Sequence, residues 1–247
     1  MNNTFDIPVL MVTFNRPAYA KHVFEKIKKL KPKNLFIFSD GPREGKPEEK
    51  TLVEECRKIF DNANFDWDCN VKKLFLEKNR GCGLGVSSAI SWAFESVEKL
   101  IILEDDCVPH PSFFQFAETM LDRYQDDERV MHVAGTRWNE EFDTGNGDHF
   151  FSRIGHVWGW ATWKRAWKFF DYKMQNWEKG RDRKMLKALL KERIITEYWV
   201  DCFVHAYTKN PTLNHAWDYQ WQYAQFKNNG LAVVPTHNLY RISVCRV

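Results

Sequence analysis

Ile101-Ile102-Leu103-Glu104-Asp105-Asp106 joins a run of apolar residues directly to three consecutive acids. A short, uninterrupted apolar run of this kind suits a strand buried on both faces, as in a parallel sheet covered by helices. Carboxylates at the carboxyl end of such a strand project into the crevice where open α/β sheets bind ligands. They are hard oxygen donors suited to a divalent cation, and neighbouring like charges repel unless a counter-charge is present. Helix capping does not account for them, because Pro109 and Pro111 intervene before the next helix. The stretch reads as a metal and nucleotide site, with a solvated strand end as the alternative.

Outward from this stretch, the preceding chain alternates apolar runs with amphipathic segments, the mark of βαβ units. Strands are predicted over 9–14, 35–38, 71–76 and 100–103, and helices over 17–30, 47–60 and 84–97. In the first helix Ala20, Val23, Phe24 and Ile27 share one face. A helix over 113–124 and a fifth strand over 130–134 follow the acids. Beyond them the texture changes: 140–147 is polar and Gly-rich, expected as a mobile loop, and nine of eleven tryptophans lie from Trp138 onward. The expected fold is α/β, a mostly parallel central sheet flanked by helices with a Trp-rich, helical carboxyl-terminal substrate region. We expect one domain, 1–247, with a nucleotide-binding half (1–106) and an acceptor-side half (107–247).

A chain of 247 residues with 44% hydrophobic content can bury one full core. The formal charge of +3 is too mild to argue for nucleic acid, and none is expected as a partner, although it suits a site that receives an anion. The opening Met-Asn-Asn-Thr-Phe-Asp-Ile-Pro lacks the basic-then-apolar pattern of a secretory signal, and no window is apolar for long enough to span a bilayer. The expected location is cytoplasmic. Six cysteines without paired spacing read as reduced packing residues. Segment 164–193 carries eleven Lys or Arg against four Asp or Glu. Its plain reading is a solvated helix face, and its alternative a peripheral contact with an acidic acceptor or a membrane.

Several other residues could carry chemistry. Asp40, just past the second strand in Ser39-Asp40-Gly41-Pro42, is either a turn residue or a carboxylate that accepts from a nucleobase or ribose. Arg16 follows the first strand, where a guanidinium could hold a base or phosphate, and Asn15 could cap the next helix. Asn79-Arg80-Gly81-Cys82-Gly83-Leu84-Gly85 lacks dinucleotide-loop spacing and reads as a tight turn. Trp158 and Trp160 flank Gly159, which could let a sugar ring approach, so each is either a packing residue or a stacking face for substrate, while Trp163 and Trp167 have helical spacing and read as core. Asp218 sits in Trp217-Asp218-Tyr219-Gln220-Trp221, where desolvation would raise its pKa and suit it to general base work; a surface cap is the competing account.

Together these motifs resemble the nucleotide-diphospho-sugar transferases of GT-A fold, the group typified by N-acetylglucosaminyltransferase I and glycosyltransferase family 2-like bacterial enzymes. The resemblance covers most of the chain, from Pro8-Val9-Leu10-Met11-Val12-Thr13-Phe14-Asn15-Arg16-Pro17 to the acids and their Pro111-Ser112-Phe113-Phe114 continuation, then to the two Trp-rich motifs. It implies a hexosyl- or N-acetylhexosaminyl-transferase. Asp106 would coordinate Mn or Mg, Glu104 and Asp105 would contact donor sugar and ribose, Arg16 and Asp40 would hold the base, and Asp218 would be the catalytic base. His237 matches a late metal-ligating position in some relatives. The partners implied are a nucleotide-sugar donor and a glycan or other hydroxyl acceptor. The close of the chain, Arg241-Ile242-Ser243-Val244-Cys245-Arg246-Val247, departs from the glycine-containing end of near relatives. Two alternatives remain: a sugar nucleotidyltransferase, which usually carries a Gly-rich basic loop where this chain has Asn-Arg-Pro, and a non-catalytic carbohydrate-binding protein.

Overall fold

The computed structural model describes residues 4–141, 143, 145, 147–208 and 216–242. The chain opens with β1 (Val9–Thr13), α1 (Pro17–Leu30), β2 (Asn34–Ser39), α2 (Pro47–Lys58), β3 (Asn70–Phe75), α3 (Gly81–Ala93) and β4 (Lys99–Glu104). It continues through β5 (Cys107–Pro109), α4 (Pro111–Arg123), β6 (Val130–Ala134), β7 (His149–Ser152) and β8 (Trp160–Trp163). Then come α5 (Lys164–Trp167), α6 (Lys179–Leu190), α7 (Arg193–Thr208), α8 (Asp218–Lys227), β9 (Leu231–Pro235) and β10 (Tyr240–Ile242). Among the described residues the main sheet has eight strands in the order β3-β2-β1-β4-β8-β6-β9-β7. The first four are parallel, in register Val9 opposite Leu35 and Ile101, and β8 enters antiparallel between β4 and β6. The class is mixed α/β and Rossmann-like, as expected.

The apolar runs become strands because both of their faces are covered. Val9, Met11, Ile101 and Leu103 pack with α1 and α4 on one side, and Leu10, Val12, Leu100 and Ile102 with α3 and α8 on the other. A further cluster, with Trp177, Trp199, Phe203 and Phe226 at its centre, joins α6, α7 and α8. Helix α8 lies between the two layers: Trp221 and Ala224 face the sheet while Tyr223 and Phe226 face the helices. Strands from both expected halves therefore share one sheet.

Three expectations need correction. Trp-Gly-Trp-Ala-Thr-Trp leads into a central strand: Trp163 ends β8, Trp167 ends α5, and the alternation of β8 sends Trp160 and Trp163 to opposite cores. Segment 164–193 is not one helical face but α5, a turn region and α6. Arg165 donates to the carbonyls of Gln125, Val130 and Tyr124, and Arg183 pairs with Glu197. Helix α3 starts at Gly81, ahead of the expected position, because Gly81 takes φ +78° and turns the chain into the helix at once. The loop expected at 140–147 lies partly, and the stretch 243–247 wholly, outside the described residues. Among the described residues no helix is long and apolar enough to cross a membrane.

Candidate functional site

Side-chain alternation along β4 decides where each acid goes. Glu104 continues the series of Leu100 and Ile102 and so lies toward α3. Asp105, past the strand, turns back to β1: it accepts from Thr13 Oγ1 and from the Phe14 N–H, each at 3.3 Å, and pairs with the Arg16 guanidinium. Asp106 takes the other arm of that guanidinium at 2.9 Å and stays 30% exposed, and unlike Glu104 and Asp105 it does not line the cavity beside them. Its Oδ1 accepts only weakly, from the Cys107 thiol at 3.4 Å.

One guanidinium cannot balance three carboxylates. Burial opposes the charge on Arg16, but Asp105 and Asp106 outweigh it and hold the guanidinium above its ordinary pKa. Burial, then repulsion from Asp106 and Asp105, pushes Glu104 up to about 8, with Asp218 adding to the effect and Arg16 opposing it. Glu104 is thereby a much weaker acid than an ordinary carboxyl.

A cavity of about 310 Å³ opens at the carboxyl ends of β1, β2 and β4, lined by Thr13, Arg16, Asp40, Cys82, Glu104 and Asp105 among others. Two of its charged groups are more committed than the sequence suggested. The Asp40 carboxylate accepts from the Gly41 and Arg80 N–H groups at 2.9 Å and from Gly81 N–H at 3.1 Å. It closes the amino end of α3, so the acceptor capacity expected for a nucleobase is largely taken by backbone. Burial raises its pKa against those three hydrogen bonds. Arg16, expected to hold a base or phosphate, lines the cavity but is bound to the acids.

The second cavity, about 600 Å³, is aromatic. Trp138, His156 and Trp158 form one wall, with Trp138 and Trp158 edge to face at 5.2 Å and His156 stacked on Trp158 at 5.9 Å. Ile194, Ile195, Tyr198 and Trp199 of α7 form the other, and Asp218 and Tyr219 of α8 close the end. Burial raises the Asp218 pKa, with its own N–H and that of Tyr219 opposing. Asp218 lines this cavity and adds, as the smallest of the named influences, to the raised pKa of Glu104.

Of the three residues expected at a sugar face, only Trp158 is there, 38% exposed. Trp160 is fully buried, stacked on His132 at 4.8 Å and packed against Trp217 at 5.6 Å. Gly159 is held at φ +67°, and a Cβ there would lie 1.7 Å from the Tyr240 ring. Its missing side chain makes room for Tyr240, not for a sugar. His237 lies exposed between β9 and β10 and lines neither cavity. Among the described residues no three His, Cys, Asp or Glu are grouped to hold a metal ion. Sequence reading missed Arg43 and Phe14 in the first cavity, and Trp138, His156 and the α7 wall in the second. The apolar pair Ile194-Ile195 directly after a basic stretch was the available signal for the last.

No family model and no curated protein matches this chain. Among solved structures it is similar to a UDP-glucose pyrophosphorylase complexed with UDP-glucose, with 11% identity, a TM-score of 0.37, and coverage of 66% of this chain and 78% of that one. It is also similar to 4-diphosphocytidyl-2C-methyl-D-erythritol synthase from Anaerococcus prevotii, with 7% identity, a TM-score of 0.36, and coverage of 66% and 74%. A third is HddC from Yersinia pseudotuberculosis, with 12% identity, a TM-score of 0.37, and coverage of 66% and 78%.

Proposed function

We propose that this chain is a GT-A type, inverting glycosyltransferase that holds a nucleotide-diphosphate sugar in the first cavity and an acceptor hydroxyl in the second. The observation that carries this reading is the placing of acids in two cavities, Glu104 and Asp105 in the polar one at the strand ends and Asp218 in the aromatic one. A donor lying across the acids would thus present its sugar toward a carboxylate on the far side. Direct displacement needs that arrangement: a base deprotonates the acceptor hydroxyl on the face opposite the leaving group, through an oxocarbenium-like transition state. Burial of Asp218 strengthens it as a base. Asp106, 30% exposed with one carboxylate oxygen weakly engaged, fits Mn or Mg, ions that take only one or two protein carboxylates and complete their shell with phosphates and water. The bound ion would neutralise charge developing on the leaving diphosphate. Thr13, Arg16 and Asp105 would orient the donor.

The similar solved structures correspond to the second reading, a sugar nucleotidyltransferase, better than to the first. Local geometry favours the first: the turn after β1 is Phe14-Asn15-Arg16, Pro17 begins α1, and the guanidinium in that turn is bound by acids instead of facing a triphosphate freely. Incubation with a panel of nucleotide sugars and Mn separates the readings. Slow release of a nucleoside diphosphate supports glycosyl transfer, pyrophosphate exchange supports nucleotidyl transfer, and neither supports a carbohydrate-binding protein. Asp106→Ala is expected to lose Mn-dependent binding of the nucleoside diphosphate; unchanged binding would remove Asp106 from the site.

A further inference from the structure

Five of the nine exposed large apolar side chains found among the described residues border the second cavity: Trp138, Trp158, Ile194, Ile195 and Tyr198. Such a concentration marks an interaction surface, where scattered single residues would not. Ile194 is 85% exposed and Tyr198 55%, four residues apart and so neighbours on the first turns of α7. Gln222, the amide that lines this cavity, is satisfied from within: it accepts from Gly155 N–H at 3.3 Å and donates to the Arg153 carbonyl at 2.9 Å. A wholly polar occupant would leave its own groups without partners here.

The stretch of chain that leads into Ile194 is also rich in cations. Lys184 and Lys187 lie on α6, Lys191 takes the left-handed position that ends it, and Arg193 begins α7; all are exposed. Nearby Glu197 is bound to Arg183, leaving Glu192 as the opposing acid in this stretch. An apolar tip with Tyr at its edge, preceded in the chain by a run of exposed cations, matches the chemistry of an anionic bilayer interface. A symmetric pair of copies meeting here would set one lysine cluster against the other.

We propose that this surface docks on an anionic lipid bilayer, Ile194, Ile195 and Tyr198 entering the headgroup layer, so that the aromatic cavity opens toward the membrane. Docking of this kind does not depend on the reaction the protein performs. The test is co-sedimentation of the full chain, without nucleotide, with vesicles of phosphatidylcholine alone or mixed with phosphatidylglycerol. Binding is expected to the mixed vesicles and to weaken with salt. Lys184→Gln with Lys187→Gln lowers it roughly 25-fold, at about fivefold per cation. Ile194→Glu lowers it at least tenfold, and all three side chains are exposed enough for the fold to survive, which circular dichroism checks. Binding to neither vesicle, binding indifferent to phosphatidylglycerol, or variants that sediment like the parent would overturn the proposal. So would a dimer in sedimentation velocity that Ile194→Glu dissociates.

Discussion

The two cavities are built on opposite terms. The first draws its walls from strand ends and turns of the parallel half, and its character comes from carboxylates that have too few counter-charges. The second draws its walls from α7, α8 and the segment before β8, and its character comes from rings with few free polar groups. A parallel sheet delivers charged groups to one edge because every strand ends there. A layer of helices offers side faces instead, which suit an apolar occupant. On the proposed reading, electrostatic work falls to the polar cavity and shape selection to the aromatic one, which Asp218 lines.

The contrast breaks most sharply at Asp218. Asp218→Asn keeps the shape of the aromatic cavity and is expected to lower turnover by ~10²–10⁴ while nucleoside diphosphate binding stays unchanged. A rate that survives would transfer the role of base to another acid. The turnover of the parent should fall as pH drops through the Asp218 pKa, which lies above the ordinary 3.8.

Next in size is Gly159→Ala. Strain at φ +67° and collision with the Tyr240 ring together should destabilise the fold by ~3 kcal/mol or more in chemical denaturation. Gly45→Ala, at φ +76° but with nothing within 4 Å, should cost only about 1 kcal/mol. Equal effects would return Gly159 to a role at a sugar face.

His132 sharpens the comparison through pH. Its ring is buried and neutral: Nδ1 accepts from Trp221 Nε1–H at 3.1 Å, and Nε2 lies 3.1 Å from the His156 carbonyl. Burial drops its pKa from 6.5 to about 3. The unfolded chain therefore takes up the proton below pH 6.5 while the folded chain does not until about pH 3. Stability should fall across that window by about 1.4 kcal/mol per pH unit, and His132→Gln should flatten the slope in acid melts even as it lowers the plateau. The smallest effect is expected for Trp158→Ala, which removes one exposed face of the aromatic wall. It should raise the acceptor KM several-fold, about 1 kcal/mol, with kcat unchanged.

Much of the parallel half was legible because its signals are local. The apolar runs of β1, β2 and β4 and the face Ala20, Val23, Phe24 and Ile27 predict their own environments. Asp105 and Glu104 could be placed at a cavity because a strand must stop where they begin. What could not be read was competition for the same atoms. Asp40 is claimed by the backbone of α3 and Arg16 by two acids, and each claim depends on a partner distant in sequence. The aromatic half was harder still, since a tryptophan carries no period of its own. Trp158 and Trp160 differ by two positions, yet one lines a cavity and the other is sealed in the core, because β8 pairs between β4 and β6.

The little ladder between β5 and β10 sets Tyr240 opposite Pro109 and Ile242 opposite Cys107. The residue next to Asp106 is thereby fastened to a stretch that the ribosome adds only after α4 through β9 have been made. A nascent chain can complete the four parallel strands early, yet the acidic turn lacks its clamp until synthesis passes position 242. Ligand binding by this protein should thus switch on late in translation, and any truncation before Tyr240 should loosen the acids while leaving the parallel strands paired.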